Sequence, residues 1–275
     1  MIGEGGEKLL ETSEYHSRPG GAPANLAVAA SRLGADVKMT ATVGNDHFGK
    51  LLIQKLEEEN VDVSDVKKIE ENTTLAFVSL KENAEPEFSF QRGADSKISV
   101  QQIKDSQDLI HIGSLPLTNN ESAENIIQTV EKTDAKVSFD PNLRDELVDN
   151  DYFETLNKVI ENTDILFAAN QEIKELGDRD QLLQKVDEIV VSKGGKGAEV
   201  ITENGTYSAE PPEVQVVDTT GAGDTLAGAY LAFRDEGVER ALEKAVHAAS
   251  LSIRKKGAMA AIPKRQELKN SLKSD

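Results

Sequence analysis

An aspartate beside a run of very small residues carries the strongest chemistry in this sequence. In Gly221-Ala222-Gly223-Asp224 the turn is almost free of side chains, and Leu226, Ala229, Tyr230 and Phe233 follow it at helical spacing. The turn therefore lies at a helix N-terminus, where the first main-chain N–H groups lack intrahelical partners and the helix dipole is positive. Such an end can cradle an anion without a cationic side chain. Asp224 then has two readings. As a first-turn acid it stabilises its helix by up to about 1 kcal/mol. As a base it takes a hydroxyl proton while Gly221, Ala222 and Gly223 stabilise charge on a transferred phosphoryl group. Val214, Val216 and Val217 predict a buried strand leading into the turn.

Other polar residues fall where open α/β sheets bind ligands, just after a strand. Asp140, Asn142 and Arg144 follow the apolar run 136–139, Asn170 follows 164–167, and Ser192-Lys193-Gly194-Gly195-Lys196-Gly197 follows 188–191. Pro19-Gly20-Gly21-Ala22-Pro23-Ala24-Asn25 leads into a helix with Leu26, Ala29, Ala30 and Leu33 on one face and Gly34 as its stop. Neither a G-x-x-x-x-G-K-[ST] loop nor a G-x-G-x-x-G fingerprint is present.

These residues need a scaffold, and the pattern supplies one. From residue 108 short apolar runs at 109–112, 136–139, 164–167 and 188–191 alternate with amphipathic helices such as 123–130 and 153–160, which predicts a parallel sheet covered on both faces. Residues 36–43 read as a further strand, and the turn Gly44-Asn45-Asp46-His47-Phe48-Gly49 opens the helix after it. Residues 73–80 and 87–92 read as a hairpin, an added small sheet, and 198–207 as a second hairpin turning at Glu203-Asn204-Gly205. The last long helix ends before Gly257.

The string DTTGAGDTLAGA, with GGAPAN and the strand-end loops in the same order, resembles the ribokinase-like (PfkB-type) sugar kinases, over about residues 19–268. FDPNLR, 139–144, is similar to the form seen in fructokinases and 2-keto-3-deoxygluconate kinases. The resemblance implies one α/β domain over 1–275, a ribokinase-like three-layer α/β/α sandwich with a mostly parallel central sheet and a small β-sheet lid from about 1–19 and 73–92. It implies Asp224 as base, with the acceptor held by Gly20, Gly21, Asn25, Arg92, Asn142 and Arg144. It implies ATP held by Asn170, Ser192, Gly194, Gly197, Gly223 and Gly257, with Mg2+ accompanying the nucleotide, and potassium near Asp218, Thr220, Ser252 and Gly257. The expected reaction is ATP-dependent phosphorylation of a primary hydroxyl of a hexose-like sugar, fructose or 2-keto-3-deoxygluconate. Alternatives are a nucleoside kinase and a catalytically impaired sugar- or nucleotide-binding protein of the same fold. A homodimer through the lid is a further expectation.

Two departures accompany the resemblance. Its N-x-x-E helps place magnesium and phosphate, whereas here the residue three after Asn170 is Ile173 and Glu172 falls one early. Related kinases also begin with an apolar strand ending in G-E-x-x-x-D. Here only Ile2-Gly3-Glu4 match it, Lys8 takes the aspartate's place, and Glu7 and Glu11 lie out of register. Residues 1–17 thus read as loop or edge structure, and an upstream apolar strand ending in an aspartate is expected to raise both stability and turnover.

The composition limits the partners. Net charge is −18, which disfavours nucleic acid and anionic membrane surfaces. With no cysteine there are no disulfides or thiolate metal sites, and His16, His47, His111 and His247 lack metal-ligand spacing. No leader-like or long apolar run occurs, so a cytoplasmic location is expected.

Overall fold

The computed structural model describes residues 1–4, 11–80, 86–98, 108–143 and 150–273. In chain order the first half holds β1 (Ile2–Glu4), β2 (Glu14–His16), α1 (Ala22–Leu33), β3 (Lys38–Gly44), α2 (His47–Glu58), β4 (Asp62–Ile69), β5 (Leu75–Leu80) and β6 (Pro86–Gln91). Then follow β7 (Leu109–Gly113), α3 (Asn120–Val130), β8 (Lys136–Asp140), α4 (Asn150–Ile160), β9 (Ile165–Ala169), α5 (Glu172–Leu176), α6 (Arg179–Leu183) and β10 (Glu188–Ser192). The chain finishes with β11 (Ala198–Thr202), β12 (Gly205–Ala209), α7 (Ala222–Phe233), α8 (Val238–Ser252), α9 (Ala258–Ala261) and α10 (Arg265–Ser271).

The main sheet has the order β12-β11-β10-β9-β8-β7, parallel from β10 to β7 and antiparallel at β11 and β12. Its central strands β9 and β10 are buried on both faces because each face carries its own helices. Leu166, Ile189 and Val191 pack with α3 and α4, while Ile165, Phe167 and Val190 pack with α7 and α8. Period-2 alternation of side chains thus divides one short strand between two cores. Each side chain buried as completely as Phe139 or Leu166 contributes about 1.5–3 kcal/mol.

The β5–β6 hairpin joins a separate four-stranded sheet of order β2-β1-β5-β6. Residues 1–17 are therefore more than loop or edge: β2 is an edge strand, but β1 runs inside this sheet, parallel to β5 at Ile2–Val78 and antiparallel to β2. Lys8 and Glu7 lie outside the described residues. The two roots of the hairpin cross at one point. Ala94 N–H donates to Asn72 O at 2.9 Å and Gly93 N–H to Thr74 Oγ1 at 2.8 Å. Asp46, the N-cap of α2, accepts Gly49 N–H at 2.8 Å and also Thr73 N–H at 2.7 Å and Thr73 Oγ1 at 2.8 Å. Burial works against its carboxylate, but these donors outweigh it and hold its pKa below the ordinary value.

β3 pairs in parallel with β4, a strand absent from the sequence expectations, in which Val63, Val66 and Ile69 are spaced without period-2 alternation. Among the described residues this pair and β7 share no ladder, so the parallel strands divide between β7 and β3, and α1 packs on both. The approach is close, since a Cβ at Gly113 would lie 2.5 Å from Pro23 Cγ.

Val214, Val216 and Val217 do not form the expected buried strand. The stretch runs outside every sheet, Val216 and Val217 are 58% and 49% exposed, and Val217 N–H bonds Ile253 O at 2.8 Å. Pro211 and Pro212, just after β12, have no N–H to offer a ladder, which ends pairing before the valines are reached.

Candidate active site

The glycine-rich turn begins α7 as the spacing predicts. Gly221 is the N-cap in a left-handed conformation, φ 76°, and a Cβ there would lie 2.7 Å from the Ala258 side chain. Glycine is required on both counts. Ala222 N–H turns back to Thr219 O at 3.2 Å, so it is spent inside the turn, and Thr225 N–H returns to Gly221 O at 2.9 Å. Gly223 is exposed, and a Cβ there would meet nothing within 4 Å, which leaves room for a ligand at the helix mouth.

Asp224 is not a bare first-turn acid. Asn25, 5% exposed on α1, donates from Nδ2 to Asp224 Oδ2 at 2.7 Å, while Asn25 Oδ1 is buried with no hydrogen-bond partner. The two helices meet because both are made of small residues where they cross. A Cβ at Gly228 would lie 2.5 Å from Leu26 O and 2.8 Å from Ala29 Cβ. Gly228 was not singled out from the sequence, although AVAA in α1 and LAGA in α7 carry the signal.

The far end of α7 is also fixed. Tyr230 Oη donates to Glu188 Oε2 at 2.5 Å, and Arg234 Nε donates to the same carboxylate at 2.8 and 2.9 Å. Burial, then Glu188, pushes the Tyr230 hydroxyl pKa up, so it stays a donor. Glu188 begins β10 and Ser192 ends it. Ten helical residues span about 15 Å and four strand steps about 13 Å, so α7 anchored there returns Asp224 toward the Ser192 end. After Ser192, Gly194 and Gly195 would carry a Cβ into open space, and Lys193 is ion-paired with buried Glu199. Gly197, φ 81°, has no such room: its Cβ would strike Ala209 O at 2.0 Å, so this glycine serves packing of the loop on β12.

Asp218 latches the turn onto the loop before α9. Its Oδ1 accepts Thr220 N–H at 2.9 Å and Thr220 Oγ1 at 2.6 Å, and its Oδ2 accepts Gly257 N–H at 2.8 Å. Burial alone would raise its pKa, but these donors outweigh burial and lower it. Ser252 is buried, and its Oγ donates to Ala249 O at 2.8 Å.

The strand-end loops stand as expected in part. Asn142 adopts φ 41°, its N–H bonded to Asp140 Oδ1 at 3.1 Å, and Arg144 lies outside the described residues. Asn170 is exposed, and its N–H extends the β9–β10 ladder to Ser192 O at 3.1 Å. Gly20 and Gly21 have space around them, and Gly21, φ 112°, caps α1. Arg92 leaves the small sheet and binds Thr118 Oγ1 at 2.9 Å, Leu115 O at 3.1 Å and Asp95 at 3.2 Å. Its guanidinium thus ties that sheet to the loop after β7. Among the described residues no group of three or more His, Cys, Asp or Glu side chains is arranged to hold a metal, and no helix is long and apolar enough to cross a membrane.

Comparison with known proteins agrees with this architecture. The chain is 30% identical to a fructokinase of Vibrio alginolyticus, over 91% of this chain and 90% of that protein. It superposes on a sugar kinase of Pyrococcus horikoshii in complex with ATP with a TM-score of 0.88, at 31% identity and covering 97% of this chain and 92% of that one. A fructokinase of Vibrio cholerae with fructose, ADP and calcium ion gives a TM-score of 0.85 at 28% identity, covering 98% of this chain and 94% of that one. Residues 3–265 match the pfkB family of carbohydrate kinases, and the chain, with its ribokinase-like sandwich, belongs to that family.

Proposed function

We propose that this kinase transfers the γ-phosphoryl group of ATP to a primary hydroxyl of a hexose-like sugar, with fructose or 2-keto-3-deoxygluconate as acceptor. The observation that carries the reading is the Asn25–Asp224 hydrogen bond at the mouth of α7. In this reading Asp224 accepts the acceptor's hydroxyl proton as the new oxygen–phosphorus bond forms and the bond to the β-phosphate oxygen breaks, releasing ADP. Asn25 aims the carboxylate, and the N-terminus of α7 with Gly223 faces the charge that develops on the phosphoryl oxygens. Little proton removal is needed early in a loose phosphoryl transfer, so an ionised, weakly basic carboxylate suffices. The open glycines of the 192–197 loop support a place for the nucleotide phosphates. Mg2+ carried by the triphosphate supplies charge neutralisation.

Gly20, Gly21, Asn142 and Arg144 are proposed to hold the acceptor, Asn170 and Gly257 to flank the nucleotide, and the small sheet with Arg92 to act as the lid. Potassium is proposed at the Asp218 latch with carbonyl groups near Ser252 and Gly257. Three donors occupy three of the roughly four lone-pair sites of that carboxylate, which leaves one for a cation. Exchange of K+ for Na+ at equal ionic strength tests that assignment. The proposal extends to a cytoplasmic location and to a homodimer through the lid, which sedimentation of the purified chain would test.

The decisive experiment is a sugar panel with ATP and Mg2+, reading ADP release. Turnover with fructose or 2-keto-3-deoxygluconate is expected. Turnover restricted to nucleosides, or ATP binding without turnover on any sugar, would replace the reading.

A further inference from the structure

Glu172 falls one residue before the acid of the N-x-x-E pattern, and the structure gives it work of its own. Its Oε1 accepts the main-chain N–H of Leu143 at 2.5 Å, and its Oε2 accepts the N–H of Ala169 at 2.6 Å. These two residues belong to different strand-end loops, one after β8 and one at the end of β9. A single carboxylate therefore staples neighbouring loops through their main chains. The position one further on cannot share an acid's duties, because Ile173 is 4% exposed and packs in the core beneath α5.

The staple acts on an unusual turn. Asn142, between Asp140 and Leu143, has φ 41°, a left-handed conformation that a residue with a Cβ adopts at a cost its surroundings must offset. The surroundings here are two carboxylates. Asp140 Oδ1 takes the N–H of Asn142 itself at 3.1 Å, and Glu172 takes the N–H of the next residue. Charge-assisted bonds to main-chain N–H groups are among the stronger ones available, so the pair can hold the turn in its unusual state.

We infer that Glu172 is a positioning residue for the acceptor loop: by binding the Leu143 and Ala169 amides it fixes Asn142 in its left-handed turn. The inference rests on the proposed reading in placing Asn142 at the acceptor.

The test compares the full chain with Glu172→Gln, which keeps size but offers one acceptor where two are used, and with Glu172→Asp, which keeps the charge and withdraws it by one methylene. Amide hydrogen exchange read by NMR comes first, since it needs no activity. One of the Leu143 and Ala169 amides, the one left facing the NH2 group, should exchange at least about tenfold faster in Glu172→Gln, the loss of its hydrogen bond. Steady-state kinetics come second. The acceptor KM should rise about tenfold, with the ATP KM and the Mg2+ concentration for half-maximal rate within about twofold of the parent. Unchanged exchange at both amides overturns the staple. Faster exchange with an unchanged acceptor KM overturns the positioning role, and a shifted Mg2+ dependence with an unchanged acceptor KM replaces it with a role at the metal. Were the parent chain inactive on every sugar, the kinase reading would fall while the exchange result still decided the staple.

Discussion

Asn25 Nδ2 sits 2.7 Å from Asp224 Oδ2, joining two helices that are 199 residues apart in the chain. The bond limits the carboxylate's rotation and leaves the buried Asn25 Oδ1 as an acceptor without a protein donor. Asp224→Asn is expected to lower turnover by about 10²- to 10⁴-fold with little change in ATP affinity, the usual worth of a positioned base. Asn25→Leu removes the aiming donor, and a bond to a charged group is worth about 1.5–3 kcal/mol, so turnover should fall roughly 10- to 100-fold. Near-normal turnover in Asp224→Asn would withdraw the base assignment.

Gly228 sets the distance between those helices. Gly228→Val would drive methyl groups into Leu26 O and Ala29 Cβ. Overpacking of this kind costs about 1–3 kcal/mol, and the melting temperature should drop by several degrees. Because the helices must part where they carry Asn25 and Asp224, turnover measured well below the melting point should fall as well. Full turnover beside a lowered melting temperature would show that α1 and α7 need not touch for chemistry.

Arg92 should act on the acceptor side. Arg92→Ala cuts the tie from the small sheet to Thr118 and Leu115, and the expected result is an acceptor KM raised about tenfold with ATP binding unaltered. Calorimetric titration of each ligand separates the two. Weakened nucleotide binding with unchanged sugar binding would contradict the lid assignment.

A fourth expectation concerns acid. Glu59 ends α2 and receives Arg32 Nε and Nη2, both at 2.7 Å, which ties α2 to α1. The Arg32 bonds, outweighing burial, with Lys55 assisting, hold its pKa at about 2 against an ordinary 4.5. A folded-state pKa below the unfolded one gives stability that is complete above pH 4.5 and is lost as pH falls toward 2. Glu59→Gln should therefore destabilise the chain by roughly 2–3 kcal/mol at pH 7 in urea unfolding, and the gap should narrow as pH drops from about 5. A gap that stays constant down to pH 3 would mean the carboxylate is not the source.

Much of this architecture can be read from residue order. Short apolar runs at 109–112, 136–139, 164–167 and 188–191 became β7 to β10 within a residue or so, because each is buried on two faces and therefore apolar throughout. Gly34 as the stop of its helix and Gly221 as part of the turn into α7 were also legible, and both are left-handed in the structure. What stayed hidden depends on distant partners. Val214, Val216 and Val217 look like core but are held outside the sheet by two preceding prolines. β4 carries Asp62, Asp65, Lys67 and Lys68 among its few apolar residues, and among the described residues it pairs with β3 alone, so its apolar signal is weak. The Asn25–Asp224 bond and the Glu172 staple join segments whose proximity only the packed sheet decides.

The crossing of residues 72–74 with 93–95 bonds the two roots of the β5–β6 hairpin to each other. Two strands rooted at separate points would bend independently, and each bend would sample its own backbone states. Here the roots are bonded to each other, and Thr73 is held by the Asp46 carboxylate that caps α2, so the two strands of the hairpin share one anchorage. Gly93 permits the crossing, since a Cβ there would lie 2.0 Å from Asn72 O. A side chain at that position would part the two roots, and, if the sheet covers the acceptor as proposed, ordering them again would cost the acceptor part of its affinity.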